Sequence, residues 1–175
     1  MLYHGSADPS LIAELSSDGV GTSSNCEAFF CVSLAGRARD YGPYVYRAPS
    51  LRGDEYLDNS DVDADALWAL LEENGIDVED NQDLCWHAVA TEELSAYDED
   101  DAWAALVGKD WDDAHWFAQA LRIELARRQG FKGAAMNDEC GSIAVLREYA
   151  QFERVKICEE CGQDSEFCDC DDAAE

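Results

Sequence analysis

Four cysteines lie near the end of the chain in the string CEECGQDSEFCDC, where Cys158, Cys161, Cys168 and Cys170 form C-x2-C-x6-C-x-C. Thiolates so spaced supply the ligands of one tetrahedral zinc, with Gly162 at the knuckle position, and four sulfurs make the site structural because no position stays open for substrate. The plainer reading is an acidic tail with free thiols. Two other groups have the types for chemistry. In LYHGS, residues 2–6, a histidine follows two apolar residues and is followed at once by glycine. An imidazole at a strand end can hydrogen-bond a hydroxyl, and a glycine lets the main chain approach a ligand with no side chain in the way. The acids Asp138 and Glu139 precede Cys140 and Gly141, and carboxylates in such a turn can stabilise developing positive charge or accept a proton. The plainer readings are a polar residue near a terminus and two solvated acids. Cys140 as a nucleophile has little support, since His87 and His115 stand in no recognisable relation to it.

The chain that must position these groups has 175 residues, enough for one domain with a core and a short appendage. No window approaches the ~18 to 20 apolar residues of a membrane span, and the N-terminus has neither the basic start nor the apolar run of a signal peptide. The expected location is cytoplasmic, where clustered cysteines read as metal ligands rather than disulfides. Against 39 acidic residues stand 12 basic ones, a formal net charge of -27. Direct binding of nucleic acid is thereby excluded, because phosphates need a basic face that releases counterions. From Gly53 to Gly108 there is no Lys or Arg at all. Such a stretch is either a solvated, solubilising face or a surface shaped for a basic partner, such as a protein that itself binds DNA.

Punctuation and periodicity order the elements. LYHGS reads as a short strand. DPSLIAELSS reads as a helix capped by Asp8 or Ser6, with Pro9 at its first position. EAFFCVSL is a buried aromatic strand, and AGRARDYG a turn or short helix stopped by Gly42 and Pro43. Two acidic helices follow, around DADALWALLEENG and DEDDAWAALVG, with DLCWHAVA between them undecided between strand and helix. The clearest helix runs from about Trp111 to Gln129, with Ala114, Phe117, Leu121 and Leu125 at intervals of three and four, acids in its first turn, Arg127 and Arg128 in its last, and Gly130 as its left-handed cap. FKGAAMND and SIAVLREY make a late hairpin, and FERVKI a final strand. Strands at both ends with helices between give an α+β fold.

Taken in order, LYHGS, the aromatic strand AFFCVSLAGRARDYG and GFKGAAMNDECGSIAV resemble the motifs of the ADP-ribosyltransferase superfamily over residues 1 to about 157. The short start, the long helix before the hairpin and the MNDECGS turn are most similar to small phage-borne anti-CRISPR ADP-ribosyltransferases that act on type I-F surveillance complexes. The resemblance implies a split β-sheet core with helices between, and transfer of ADP-ribose from NAD to a Cas subunit that recognises DNA, in the cytoplasm of the host. It implies a domain over 1–157; within it the acidic 53–108 is read from its charge as a helical insert, and 158–175 follows as a Cys-rich tail. Asp138 falls at the catalytic acid, with Glu139 second. His4 suits a ribose hydroxyl, Gly5 the nicotinamide carboxamide, Ser6 completes the motif, and Phe29 or Tyr41 would stack on the nicotinamide ring. Phe29 stands where many transferases carry tyrosine, so only stacking survives there. Arg37 or Arg39 would hold the pyrophosphate, with plain surface solubility as the alternative for each. Two other functions stay open: an acidic DNA mimic that occupies a basic channel without chemistry, and a transferase toxin with another host target.

Overall fold

The structure, a computed structural model, describes residues 1–7, 9, 28–94, 97–138 and 141–170. The DPSLIAELSS segment, apart from Pro9, and Glu139 lie outside the described residues.

Among the described residues seven strands form two sheets. The first has the order β1 (Leu2–Ser6), β3 (Tyr44–Ala48), β7 (Glu153–Val155), all antiparallel. The second has the order β2 (Ala28–Cys31), β6 (Ile143–Leu146), β5 (Gly133–Ala135), β4 (Tyr56–Leu57), parallel only between β4 and β5. An isolated antiparallel bridge, Tyr3 to Val32 with both hydrogen bonds at 2.8 Å, joins them. This is the α+β split-sheet architecture that the sequence predicts. Alternation along the strands then sorts the side chains. Leu2, Phe29, Cys31, Ala48 and Val145 fill a small core between the sheets, while Ala28, Ala144 and Leu146 face the helices.

On the far side of the first sheet lies α1 (Ala35–Ala38), which packs onto β1 at Gly5. A Cβ on Gly5 would sit 1.7 Å from the Ala38 carbonyl oxygen. Gly5→Ala is therefore expected to push α1 off the strand and cost at least the ~1–3 kcal/mol of an overpacked core, read as a fall in melting temperature.

The helical layer covers the second sheet. Helix α2 (Ala64–Glu73) starts at Asp63, whose side chain accepts from the Ala66 N–H at 2.9 Å, and stops at Gly75 with φ +76°. Its Leu67, Leu70 and Leu71 are buried. The undecided DLCWHAVA is helical: α3 (Gln82–Cys85) widens into a π-helical turn over Trp86–Thr91, and the turn ends at Glu92 in the left-handed conformation, φ 51°. Helix α4 (Tyr97–Val107) buries Trp103, whose indole N–H donates to the Ala114 carbonyl at 2.9 Å. Helix α5 (Trp111–Arg128) is capped by Asp110 and followed by Gly130 at φ +82°. Residues 53–108, read from charge as an insert, supply strand β4 and much of the main core, including Leu57, Val78 and Val89. Among the described residues no helix is long and apolar enough to cross a membrane.

Candidate functional site

The register of the strands sets the relative places of the candidate residues. Tyr3 bridges Val32, and Cys31 pairs with Ile143, so His4 sits two inter-strand spacings, about 10 Å, from the start of β6 and the turn that carries Asp138. His4 is buried and points between the sheets, edge-on to Phe29 with ring centroids 5.4 Å apart and beside Phe152 at 5.6 Å. Its Nδ1 lies 3.0 Å from the Phe30 carbonyl. A carbonyl only accepts, so Nδ1 is the donor in this contact. Ser6, two residues on, is also buried.

Ser142 holds both carboxylate oxygens of Asp138. Oδ1 accepts from the Ser142 N–H at 2.9 Å, and Oδ2 accepts from the Ser142 hydroxyl. Gly141 closes the turn by donating to the Asp138 carbonyl at 3.1 Å, with φ +57°. A carboxylate so held cannot swing, which is what a group aimed at a developing charge requires. The residue before it is fixed from the helical side: Glu92 Oε2 accepts from the Asn137 N–H at 2.6 Å, and the Glu92 carbonyl lies 3.4 Å from the Asn137 amide nitrogen.

Glu92 is a second acid at this end of the molecule. Its side chain is 4 % exposed, and its pKa is raised, first by burial and also by the charge of Asp138, against the lowering effects of the Asn137 N–H and the Arg122 guanidinium. Arg122 stands opposite at 3.9 Å. Its guanidinium donates to the carbonyls of Ala135 at 2.7 Å, of Val89 at 3.1 Å and of Ala90, and to Asn59 Oδ1 at 2.7 Å. One buried cation thus ties α5 to the end of the π-helical turn, to β5 and to the Asn59–Asp61 turn.

The other expected residues lie apart from this pair. Phe29 is fully buried, so its ring offers no face to solvent. Tyr41, 60 % exposed, is the aromatic of the two with surface for a planar ligand. Arg37 is exposed and 3.7 Å from Asp40. Arg39 lines a groove of about 470 Å³ together with Tyr44, Arg154 and Lys156, with the Arg154 guanidinium 4.6 Å from the Tyr44 ring centre. Three of the 12 basic residues converge there, beside the pairing of Ser6 with Tyr44. Sequence reasoning did not find Glu92, Arg122, Ser142, Arg154 or Lys156.

The four cysteines converge. Each offers a sulfur, all within 4.8 Å of one another, and Cys161 and Cys168 are 3.4 Å apart. The edge of a tetrahedron with metal–sulfur bonds of about 2.3 Å is about 3.8 Å, so the set fits a metal. Gly162 has φ +72°, and its N–H donates to the Cys158 carbonyl at 2.9 Å. The knuckle is bound to the first sheet by Arg47 of β3, which pairs with Glu153 at 2.7 Å and Glu166 at 2.6 Å and lies 5.3 Å from the Phe167 ring centre. It also touches α1, where a Cβ on Gly36 would lie 3.1 Å from the Gly162 carbonyl oxygen.

Comparison with known proteins completes the picture. A family model described as "Anti-CRISPR Type I-F ADP-ribosyltransferase AcrIF11" matches residues 1–150. A crystal structure of an anti-CRISPR protein has the same fold, with a TM-score of 0.56 at 19% identity over 88% of this chain and 93% of that one. No curated protein matches.

Proposed function

The chain belongs to the anti-CRISPR type I-F ADP-ribosyltransferase family, and from that premise we propose that it moves ADP-ribose from NAD to a DNA-recognising protein subunit of a type I CRISPR surveillance complex in the host cytoplasm. The observation that carries this reading is Asp138, held through both carboxylate oxygens by Ser142 at the turn two strands from His4. NAD supplies a ribose that gains positive charge as nicotinamide leaves. A rigid carboxylate stabilises that charge and can take a proton from the attacking group. His4 hydrogen-bonds a ribose hydroxyl, Gly5 and Ser6 present main chain at the strand end, Tyr41 stacks on the nicotinamide, and Arg39 with Arg154 and Lys156 holds the pyrophosphate. Glu139 is the second acid. The acidic surface, net charge -27, supports a target with a basic face.

The assay is the intact mass of a purified type I-F surveillance complex after incubation with the protein and NAD. A gain of one ADP-ribose unit on a Cas subunit is the expected result. Inhibition that persists unchanged without NAD, and disappears after a high-salt wash, would instead identify an electrostatic mimic.

Residues 1–157 form the transferase domain, and 158–175 a tail whose Cys158, Cys161, Cys168 and Cys170 bind one structural zinc. Purified protein is expected to contain one zinc per chain by elemental analysis. Cys161→Ser with Cys168→Ser should abolish it and lower the melting temperature by roughly 4–8 °C, the shift for about 2 kcal/mol in a chain of this length. Zinc absent from both forms would refute the assignment.

A further inference from the structure

Glu92 carries three costs that another residue would avoid. It is the one non-glycine residue with a positive φ among the described residues, at 51°, and a side chain held in the left-handed region is strained. Its carboxyl is buried, with 4 % of the side chain exposed, and burial raises its pKa against ionisation. Its Oε1 has no hydrogen-bond partner among the described residues, although buried polar atoms are nearly always paired. Glycine would remove the first cost, and an apolar side chain the other two. Strain and an unpaired group that persist together point to a position kept for use.

What glutamate supplies in return is a double hold on Asn137. Its Oε2 accepts from the Asn137 N–H at 2.6 Å, and its main-chain carbonyl lies 3.4 Å from the Asn137 amide nitrogen. Asn137 is itself exposed, in the turn between β5 and β6. Three other bonds close that turn on itself: Met136 N–H to the Ser142 carbonyl at 2.9 Å, Ser142 N–H to Asp138 Oδ1 at 2.9 Å, and Gly141 N–H to the Asp138 carbonyl at 3.1 Å. They fix the shape of the turn, not its direction. The bond to Glu92 ties the turn to the end of the π-helical turn, and Arg122 pins that end by donating to the carbonyls of Val89 and Ala90.

We propose that Glu92 is a positioning residue for Asp138: by anchoring Asn137 to the helical layer it fixes where the carboxylate of the next residue stands. A catalytic group tolerates little displacement, since an error of about 1 Å can cost ~10²-fold in rate. The proposal rests on the transferase reading for the use of this hold, and the hold itself can be read without any activity.

The test pairs amide hydrogen exchange with kinetics in the full-length protein. The Asn137 N–H should be protected although its residue is exposed, and should exchange about tenfold faster or more in Glu92→Gly. Glycine suits the left-handed backbone, so this variant loses the hold while shedding the strain. Glu92→Gln, which keeps an acceptor for the Asn137 N–H, should restore protection. In Glu92→Gly, kcat for transfer should fall about 10–10²-fold with KM for NAD little changed, and glutamine should recover most of it. Introduced into Asp138→Ala, the same glycine should cost nothing further, because residues that act as a unit are not additive. An Asn137 amide unprotected in the unsubstituted protein, or one that Glu92→Gly leaves unchanged, would overturn the proposal. So would an equal loss of transfer with and without the Asp138 carboxylate, which marks a merely structural role. Failure of the transferase reading appears separately, as no nicotinamide release from NAD by the unsubstituted protein.

Discussion

Asp138→Ala is expected to lower ADP-ribosyl transfer by about 10²–10⁴-fold, the range over which a positioned carboxylate acts as base or charge stabiliser, with little change in the strands around it. The turn keeps its main-chain closure, since Gly141 donates to the carbonyl of residue 138 and not to its side chain. Ser142, which is buried, loses both carboxylate partners, so a stability cost of about 1–3 kcal/mol accompanies the loss of transfer. Asp138→Asn separates charge from geometry. Its amide oxygen can still accept from the Ser142 N–H, so a loss as large as that of alanine would assign the effect to charge. Transfer within threefold of the unsubstituted protein in both variants, read by intact mass of the target, would remove Asp138 from the chemistry. His4→Ala should act more weakly on the reaction and more strongly on stability, because its ring fills space between Phe29 and Phe152.

The largest stability effect is expected at Arg122→Met. Truncating one partner of a buried, hydrogen-bonded pair typically costs about 3–5 kcal/mol, a large share of the ~5–15 kcal/mol that keeps a domain folded. At the few degrees per kcal/mol usual for this length, the melting temperature should drop by roughly 6–20 °C. The variant strands the carbonyls of Val89, Ala90 and Ala135 and leaves Glu92 without its counter-charge. pH distinguishes these two costs. The Glu92 pKa is already raised by burial, and Arg122 is one of the groups that lower it, so its loss raises that pKa further. The folded variant then holds a proton that the unfolded chain releases once pH exceeds the ordinary carboxylate range. Stability of Arg122→Met should therefore fall as pH rises through that window and recover on acidification, and Glu92→Gln should flatten the profile. A melting temperature within about 3 °C of the unsubstituted protein, the shift for about 1 kcal/mol, would show that the guanidinium is not the tie between these elements.

Elements governed by local rules were legible in the sequence. Asp110 and Gly130 bound α5, Asp63 and Gly75 bound α2, and the spacing of the four cysteines anticipates their convergence. The motif order at LYHGS, the aromatic strand and the MNDECGS turn carried the family and, with it, the split sheet. What escaped was set by tertiary packing. Charge is a property of the surface, so the acid-rich 53–108 looked like an addition, although its Leu67, Leu70, Leu71 and Val89 lie in the main core. Alternation turns Phe30 toward the helices and Phe29 between the sheets, which the two adjacent rings alone could not decide. Glu92 left no local signal, because a π-helical turn of ambiguous periodicity positions it. Arg122 left one: it falls four residues after Ala118, on the buried face of α5, where a basic residue is out of place unless it has partners.

The strand order β1-β3-β7 has a consequence during synthesis. β3 ends at Ala48 and its outer partner begins at Glu153, so a ribosome adding about 5–20 residues per second leaves that edge waiting roughly 5–20 s for its neighbour. During the interval the nascent chain displays Tyr-Val-Tyr with open backbone donors and acceptors, an invitation to pair with the wrong strand. Arg47, which later grips the knuckle, stands on that edge from the start, and its charge discourages such pairing until the last residues emerge.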